Sequence, residues 1–256
     1  MRENRMKKML HADEPAFGCS VMIPSPQVVE IAAYAGFDWV LIDMEHGTIG
    51  LESAELMIMA ADASGITPIV RPPANTKADI SAVMDRGAHG VQVPHVNTAD
   101  EARAAVRAVK FGPGDYRGLA AGTRPNEYGF AGSISDFVAR ANENSLVCIQ
   151  LEHAEAIENI DEILRVDGID VFFIGPSDLS QSMGHPGNPG APEVKSAIEK
   201  SLAKIKNAGK IPGIPGTTEN VQDVLSSGCL YIYTHLPKLF GAGATAFFSN
   251  TKRSGK

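Results

Sequence analysis

The chain is short of positive charge. Its 23 Lys and Arg face 30 Asp and Glu, a formal net charge of −7, whereas a nucleic-acid surface needs an excess of basic groups on one face. Nucleic acid is therefore not an expected partner. Cysteine is scarce as well. Cys19, Cys148 and Cys229 are odd in number, far apart and each set in an apolar stretch, so they read as buried free thiols, and no Cys/His spacing suits a zinc site. No apolar run approaches the roughly 18 residues that a membrane span requires. The basic opening MRENRMKKML is not followed by an apolar stretch with a small-residue cleavage site, which excludes a secretory signal there and leads us to expect a cytoplasmic protein with no membrane partner. A G-x-G-x-x-G turn after the first predicted strand is also missing, and with it the signature of a dinucleotide fold.

What the chain does have is a regular alternation of short β-rich runs and longer helical ones. Strands are predicted at Ala16–Met22, Trp39–Asp43, Pro68–Arg71, Gly90–Pro94, Leu146–Leu151, Val171–Gly175, Ile211–Ile214 and Cys229–Tyr233. Helices are expected at about Pro26–Ala35, Leu51–Ala63, Lys77–Arg86, Ala99–Lys110, Ala156–Arg165, Pro192–Ala208, Thr218–Ser226 and from about Pro237. The strands are nearly continuous apolar runs, as expected when both faces of a parallel strand are buried. Eight such pairs in 256 residues predict an α/β fold, one (β/α)8 TIM barrel covering residues 1–256. One connection, Phe111–Ser145, is too long for a simple turn, and a short helix around Ser135–Asn142 is expected inside it.

A barrel of this type carries its active site at the carboxyl ends of its strands. Those ends read Asp43-Met44-Glu45-His46-Gly47, Arg71-Pro72-Pro73, Pro94-His95, Gln150-Leu151-Glu152-His153 and Gly175-Pro176-Ser177-Asp178. Glu152 and Asp178 end neighbouring strands, and two facing carboxylates need a proton or a cation between them. A hard divalent cation takes one or two carboxylates and leaves positions for substrate; the alternative is that Asp178 caps the following turn. His46 can be a base, a metal ligand or a hydrogen-bonded loop residue. Asp43 could orient its imidazole or pair with Arg71, whose guanidinium suits a carboxylate or a developing enolate oxygen. His95, His153 and His185 read as structural. No predicted strand contains a lysine, which disfavours an imine mechanism, since that chemistry needs a desolvated amine inside the barrel.

At these positions the chain resembles the HpcH/HpaI family of class II, metal-dependent pyruvate aldolases. The resemblance is carried by AGFDWVLIDMEHG (35–47), PIVRPP (68–73), VQVPHVNTADEARAAVRAVKFGPGDYRG (91–118) and IQLEHAEAIENIDEILRVDGIDVFFIGPSDLSQSMGHPGNP (149–189), and it runs from about Phe17 to at least Gly213. It implies a barrel of the phosphoenolpyruvate/pyruvate type and a hexamer whose subunits exchange the C-terminal helix, here about residues 237–248. It implies Glu152 and Asp178 as ligands of Mg²⁺, Mn²⁺ or Co²⁺. Arg71 would stabilise a pyruvate enolate, and His46 with Asp43 would serve acid–base catalysis. Gln150, Ser177 and Asp178 would contact the substrate.

The implied reaction is reversible aldol cleavage of a 4-hydroxy-2-oxo acid to pyruvate and an aldehyde. Decarboxylation of oxaloacetate on the same barrel and a non-catalytic binding role are the alternatives. The chain departs from the family pattern at Ala16 and Phe17, in the AGTRPNEYGF segment and at Thr234-His235-Leu236. Arg124 and Tyr128 are candidates for reading the aldehyde, from the same subunit or from a neighbouring one.

Overall fold

A computed structural model describes residues 1–249; the remaining stretch of the expected domain, 250–256, lies outside the described residues. The chain opens with helix α1 (Arg5–His11) and then alternates strands and helices: β1 (Ala16–Val21), α2 (Pro26–Tyr34), β2 (Trp39–Asp43), α3 (Leu51–Ser64), β3 (Thr67–Arg71), α4 (Lys77–Asp85), β4 (Gly90–Val93) and α5 (Ala99–Val109). A 3₁₀ turn (Arg124–Gly129) and α6 (Ile134–Asn144) occupy the long connection. There follow β5 (Leu146–Leu151), α7 (Ala154–Glu158), α8 (Ile160–Ile163), β6 (Val171–Ile174), α9 (Pro176–Ser182), α10 (Pro192–Asn207), β7 (Ile211–Pro215), α11 (Val221–Ser226), β8 (Tyr231–His235) and α12 (Leu236–Ser249). The eight strands pair in parallel, in chain order, and close through β1 and β8 into a (β/α)8 barrel.

Side-chain parity divides the apolar residues of each strand between two cores. Trp39 and Leu41 of β2, Ile69 of β3, Leu146 and Cys148 of β5, Val171 and Phe173 of β6, and Tyr231 and Tyr233 of β8 fill the barrel interior. Their neighbours Val40, Ile42, Val70, Val147, Ile149, Phe172 and Ile232 face outward into a second core beneath the helices. The strands look uniformly apolar because both parities are buried. The same alternation places Asp43, Arg71, Gln92, Gln150, Glu152 and His235 on the inward series as it reaches the carboxyl rim.

The amino-terminal mouth of the barrel is closed by α1, a helix the sequence did not announce. Met6 and Leu10, one turn apart, are fully buried against the interior cluster that contains Trp39, Tyr231 and Phe173. Asn4 caps the helix by accepting from the Lys7 amide at 2.9 Å and donates Nδ2 to the His89 carbonyl at 2.9 Å. Lys7 Nζ reaches the Ser145 carbonyl at 2.9 Å and Asp170 at 3.0 Å. Three apolar side chains, Met6, Met9 and Leu10, in a short run rich in Lys and Arg are a weak periodic signal, which is why composition concealed the plug.

Most other boundaries fall within a residue or two of expectation. The helix expected at Ala156–Arg165 is instead α7 and α8, separated at Asn159, and α9 was not foreseen. β8 begins at Tyr231 rather than Cys229 because its register is set by pairing Ala16 with Tyr231 and Gly213 with Tyr231. That shift carries His235 to the rim. No helix among the described residues is long and apolar enough to cross a membrane.

Candidate active site

Strands β2 and β3 bring Asp43 and Arg71 side by side in register. Arg71 Nε donates to Asp43 Oδ1 at 3.0 Å and Nη2 to Oδ2 at 2.5 Å. Both side chains are buried, and burial alone would lower the Arg71 pKa; the Asp43 hydrogen bonds and the neighbouring Tyr233, Asp43 and Glu45 carry it the other way, above the ordinary guanidinium value. Asp43 Oδ1 also accepts from the backbone amides of Glu45 at 3.1 Å and His46 at 3.2 Å. Asp43 therefore holds the His46 segment by its backbone. The expected contact with the imidazole is not made: the His46 ring, 53% exposed, stands with Nε2 at 3.8 Å from Glu45 Oε2. Gly47 completes the tight loop, where a Cβ would lie 2.3 Å from the Asp43 carbonyl oxygen.

Glu152 ends the inward series of β5 and is almost sealed from solvent. Its Oε1 accepts from the His95 backbone amide at 2.9 Å, and its Oε2 accepts from Gln150 Nε2. Burial pushes the Glu152 carboxyl above its usual range, and the Gln150 and His95 amide hydrogen bonds oppose that shift. Gly175 is needed beside it, because a Cβ there would sit 2.9 Å from Glu152 Oε2.

His95, read as structural from the sequence, lies at the centre of the site. Its backbone is left-handed, at φ 54°, an uncommon conformation for a residue with a Cβ. The ring spans two carboxylates, with Nδ1 3.1 Å from Glu152 Oε1 and Nε2 2.9 Å from Glu45 Oε1. Glu45, His95 and Glu152 place one donor atom each within 4.8 Å of the others. Glu45 Oε2 is buried and accepts no hydrogen bond, its nearest cation being Arg71 Nη1 at 3.1 Å. A hard divalent cation fits this donor set of carboxylate oxygens and imidazole.

Asp178 stands half-buried on the first turn of α9, with Ser177 exposed beside it, and it is not one of those three. Gln150 lies directly against Glu152. Two further residues enter that sequence reasoning left without a role. Glu45 was part of a quoted rim segment only, and its signal was its place between Asp43 and His46. His235 lies on the inward parity of β8, edge-on to Tyr233 at 5.4 Å between ring centroids, with Nδ1 buried and unpartnered. Burial, with Lys238 and Arg71 adding to it, lowers its pKa.

Arg124 does not approach this rim within the protomer. It donates Nη2 to Asp62 Oδ2 at 2.6 Å, where His89 Nε2 also meets Asp62 at 3.1 Å. Asp62 is near the end of α3 and His89 immediately precedes β4, so this cluster marks the amino-terminal face of the barrel. Tyr128 lines the same recess.

The chain is 41% identical over 211 residues to a hydroxypyruvate/pyruvate aldolase of Sagittula stellata, 82% of each chain. It is 39% identical over 235 residues to a 4-hydroxy-2-oxo-heptane-1,7-dioate aldolase of Shigella sonnei, 90% of this chain and 87% of that one. An HpcH/HpaI aldolase/citrate lyase family protein of Burkholderia cenocepacia superposes with a TM-score of 0.90 at 31% identity, covering 98% of this chain and 100% of the other. The family profile itself matches residues 17–232, and the chain belongs to the HpcH/HpaI aldolase/citrate lyase family.

Proposed function

We propose that the protein is a carbon–carbon lyase that cleaves a 4-hydroxy-2-oxo acid reversibly to pyruvate and an aldehyde, with a divalent cation, Mg²⁺, Mn²⁺ or Co²⁺, at the Glu152 rim. The observation that carries the reading is the convergence of Arg71, Glu45, His95 and Glu152 at the carboxyl end of a barrel of this family. Among the described residues, none of the eight strands carries a lysine, so the imine route has no amine in place.

Glu152 with Asp178 would hold the cation, as the family resemblance implies; Glu45 and His95 are the additional donors that the distances bring to Glu152. Bound there, the cation would supply positive charge beside the carboxylate and keto oxygens of the 2-oxo acid. In the cleavage direction a base removes the 4-hydroxyl proton, the C3–C4 bond breaks, and the aldehyde departs. The bonding pair stays on the pyruvate fragment as an enolate, which takes a proton at C3. Arg71, fixed by Asp43, offers fixed positive charge where the enolate oxygen develops. His46, exposed on the rim loop, is the group we assign to carrying the proton, through an intervening water. Gln150 and the backbone amides of Ser177 and Asp178 are assigned to the substrate side, where the latter two would receive its carboxylate.

Protein stripped with EDTA should lose turnover and regain it on adding Mn²⁺; full activity after stripping would remove the cation from the mechanism. Exchange of the pyruvate methyl protons in D₂O separates catalysis from simple binding, because binding alone gives no exchange.

The assembly we propose is a hexamer in which α12 packs on a neighbouring copy. None of the described side chains of α12 is buried, and Phe240 is 78% exposed. An apolar cavity of about 170 Å³ lies beside β1 and β8, lined by Phe17, Phe37, Val221 and Ile232. Light scattering on protein truncated before Leu236 tests this: the truncated chain should fall to a smaller species, and an unchanged mass overturns the exchange.

A further inference from the structure

A line of hydrogen bonds crosses the barrel interior and ends on Glu152. Tyr231 donates its hydroxyl to Gln92 Oε1 at 3.1 Å, Gln92 Nε2 donates to Gln150 Oε1, and Gln150 Nε2 donates to Glu152 Oε2. The residues come from β8, β4 and β5, and each lies on the inward parity of its strand. Tyr231 and Gln92 are fully buried, and Gln150 and Glu152 are nearly so. None of this is explained by packing. An apolar side chain at position 92 would fill the same space without needing two partners.

The line can run in only one direction. An ionised carboxylate accepts and never donates, so Gln150 must turn its NH₂ toward Glu152. Its oxygen then faces Gln92, which must answer with its own NH₂. That leaves the Gln92 oxygen to be satisfied by a donor, and the Tyr231 hydroxyl stands 3.1 Å from it. Burial raises the Tyr231 pKa well above the ordinary phenol value, which keeps the proton in place. Reversing Gln150 would set its oxygen against the carboxylate and its NH₂ against that of Gln92, and reversing Gln92 alone would set two amide oxygens face to face, in a medium of low dielectric where an unmatched polar group is costly.

We propose that Tyr231 and Gln92 are positioning residues that act through Gln150 to fix the Glu152 carboxylate, tying Oε2 to Gln150 and turning Oε1 to the rim. The Oε1 atom is the one that meets the His95 amide and ring. This rests on the proposal that Glu152 holds a cation. It assigns a purpose to two buried groups that do not themselves touch Glu152: they fix which of its oxygens faces the His95 side of the rim, and in what plane.

The test is direct Mn²⁺ binding to the full chain, followed by the electron paramagnetic resonance signal of free Mn²⁺. Tyr231→Phe keeps the ring, tilted 32° against Trp39 with centroids 4.1 Å apart, and removes only the donor, so Mn²⁺ should bind about threefold to tenfold more weakly, the size of one buried hydrogen bond. Gln92→Leu breaks the line in the middle and should weaken binding about 10–100-fold, as loss of outer-shell partners does. Near-UV circular dichroism of the single tryptophan, Trp39, reports whether the interior is intact; a purely structural role would lower the melting temperature and leave the Mn²⁺ affinity of the folded protein at the wild-type value. Wild-type affinity in both variants overturns the proposal. Glu152→Gln separates this from failure of the underlying reading: if it too binds Mn²⁺ like the wild type, the cation site itself is misplaced and both fall.

Discussion

Asp43 and Arg71, paired across β2 and β3, form a two-bond fork of 3.0 Å and 2.5 Å inside the barrel rim. The fork fixes the guanidinium plane and leaves Nη1 directed at Glu45, 3.1 Å away. Lysine cannot reproduce that geometry, because its ammonium is a point charge on a flexible stem. Arg71→Lys should therefore lower turnover by about 10²–10³-fold, the effect of losing one donor aimed at a developing oxyanion, with a smaller change in substrate KM. Asp43→Ala removes the two-bond partner of a buried guanidinium, leaving only Glu45 beside it, and should destabilise the fold by about 3 kcal/mol, the low end for breaking a buried pair. Steady-state kinetics and urea unfolding measure the two effects separately.

The cation site can be apportioned by single substitutions. Glu152→Gln and Asp178→Asn should each abolish detectable Mn²⁺ binding, whereas Glu45→Gln, which leaves that pair intact and removes one additional donor, should weaken it about tenfold. Titration calorimetry with Mn²⁺ provides the ranking. If Asp178→Asn binds normally and Glu45→Gln does not, the ligand set is Glu45, His95 and Glu152, the three whose donor atoms lie within 4.8 Å.

How much of this was legible in the sequence follows from what each feature depends on. The barrel was legible because each strand is an apolar run and each helix has its own punctuation; β2 and β5 begin and end where the residues say they should. Asp43, Arg71 and Glu152 could be picked out for the rim because each is a polar residue at the end of an apolar strand. His95 was not, because its importance comes from a left-handed backbone and from carboxylates contributed by two other strands. Gln92 was hidden for the opposite reason: one polar residue inside GVQVP looks like a blemish until parity shows that it faces Gln150 and Tyr231. Arg124 was placed by its charge and by its position in an insert, and Asp62 on a distant helix decided where it went.

The amino-terminal plug sets up a stability experiment remote from the chemistry. Met6 and Leu10 are the α1 side chains buried in the barrel interior. Leu10→Ala removes a fully buried side chain from a closed space and should cost about 2–5 kcal/mol. Because the cavity opens at the end opposite Glu152, kcat measured well below the melting temperature should stay within about twofold of wild type, since only about 1.4 kcal/mol separates a tenfold change in rate. A variant that melts normally would show that α1 is a cover with no share in the core.

Acid stability should depend on Asp170. Its carboxylate is buried, which by itself raises the pKa, but His11 Nε2 at 3.1 Å, Lys7 Nζ at 3.0 Å and the Val147 amide at 2.8 Å reverse the shift, and the net value is lowered. A folded-state pKa below the unfolded one means that the unfolded chain takes up the proton first as pH falls. The contribution is therefore fully present above the ordinary aspartate value of about 3.9 and is lost as pH drops through the lower folded value. Asp170→Asn removes the charge, so it should be less stable than wild type at pH 7 by about 1.5–3 kcal/mol, the worth of hydrogen bonds to a charged group. The gap should close as pH falls through the folded-state value, below which the wild-type carboxylate is also neutral. Urea unfolding of both proteins from pH 7 to pH 2 measures it. A gap that stays constant would mean that Asp170 contributes through shape and neutral hydrogen bonding, and that the Lys7 and His11 pairs do not stabilise the fold.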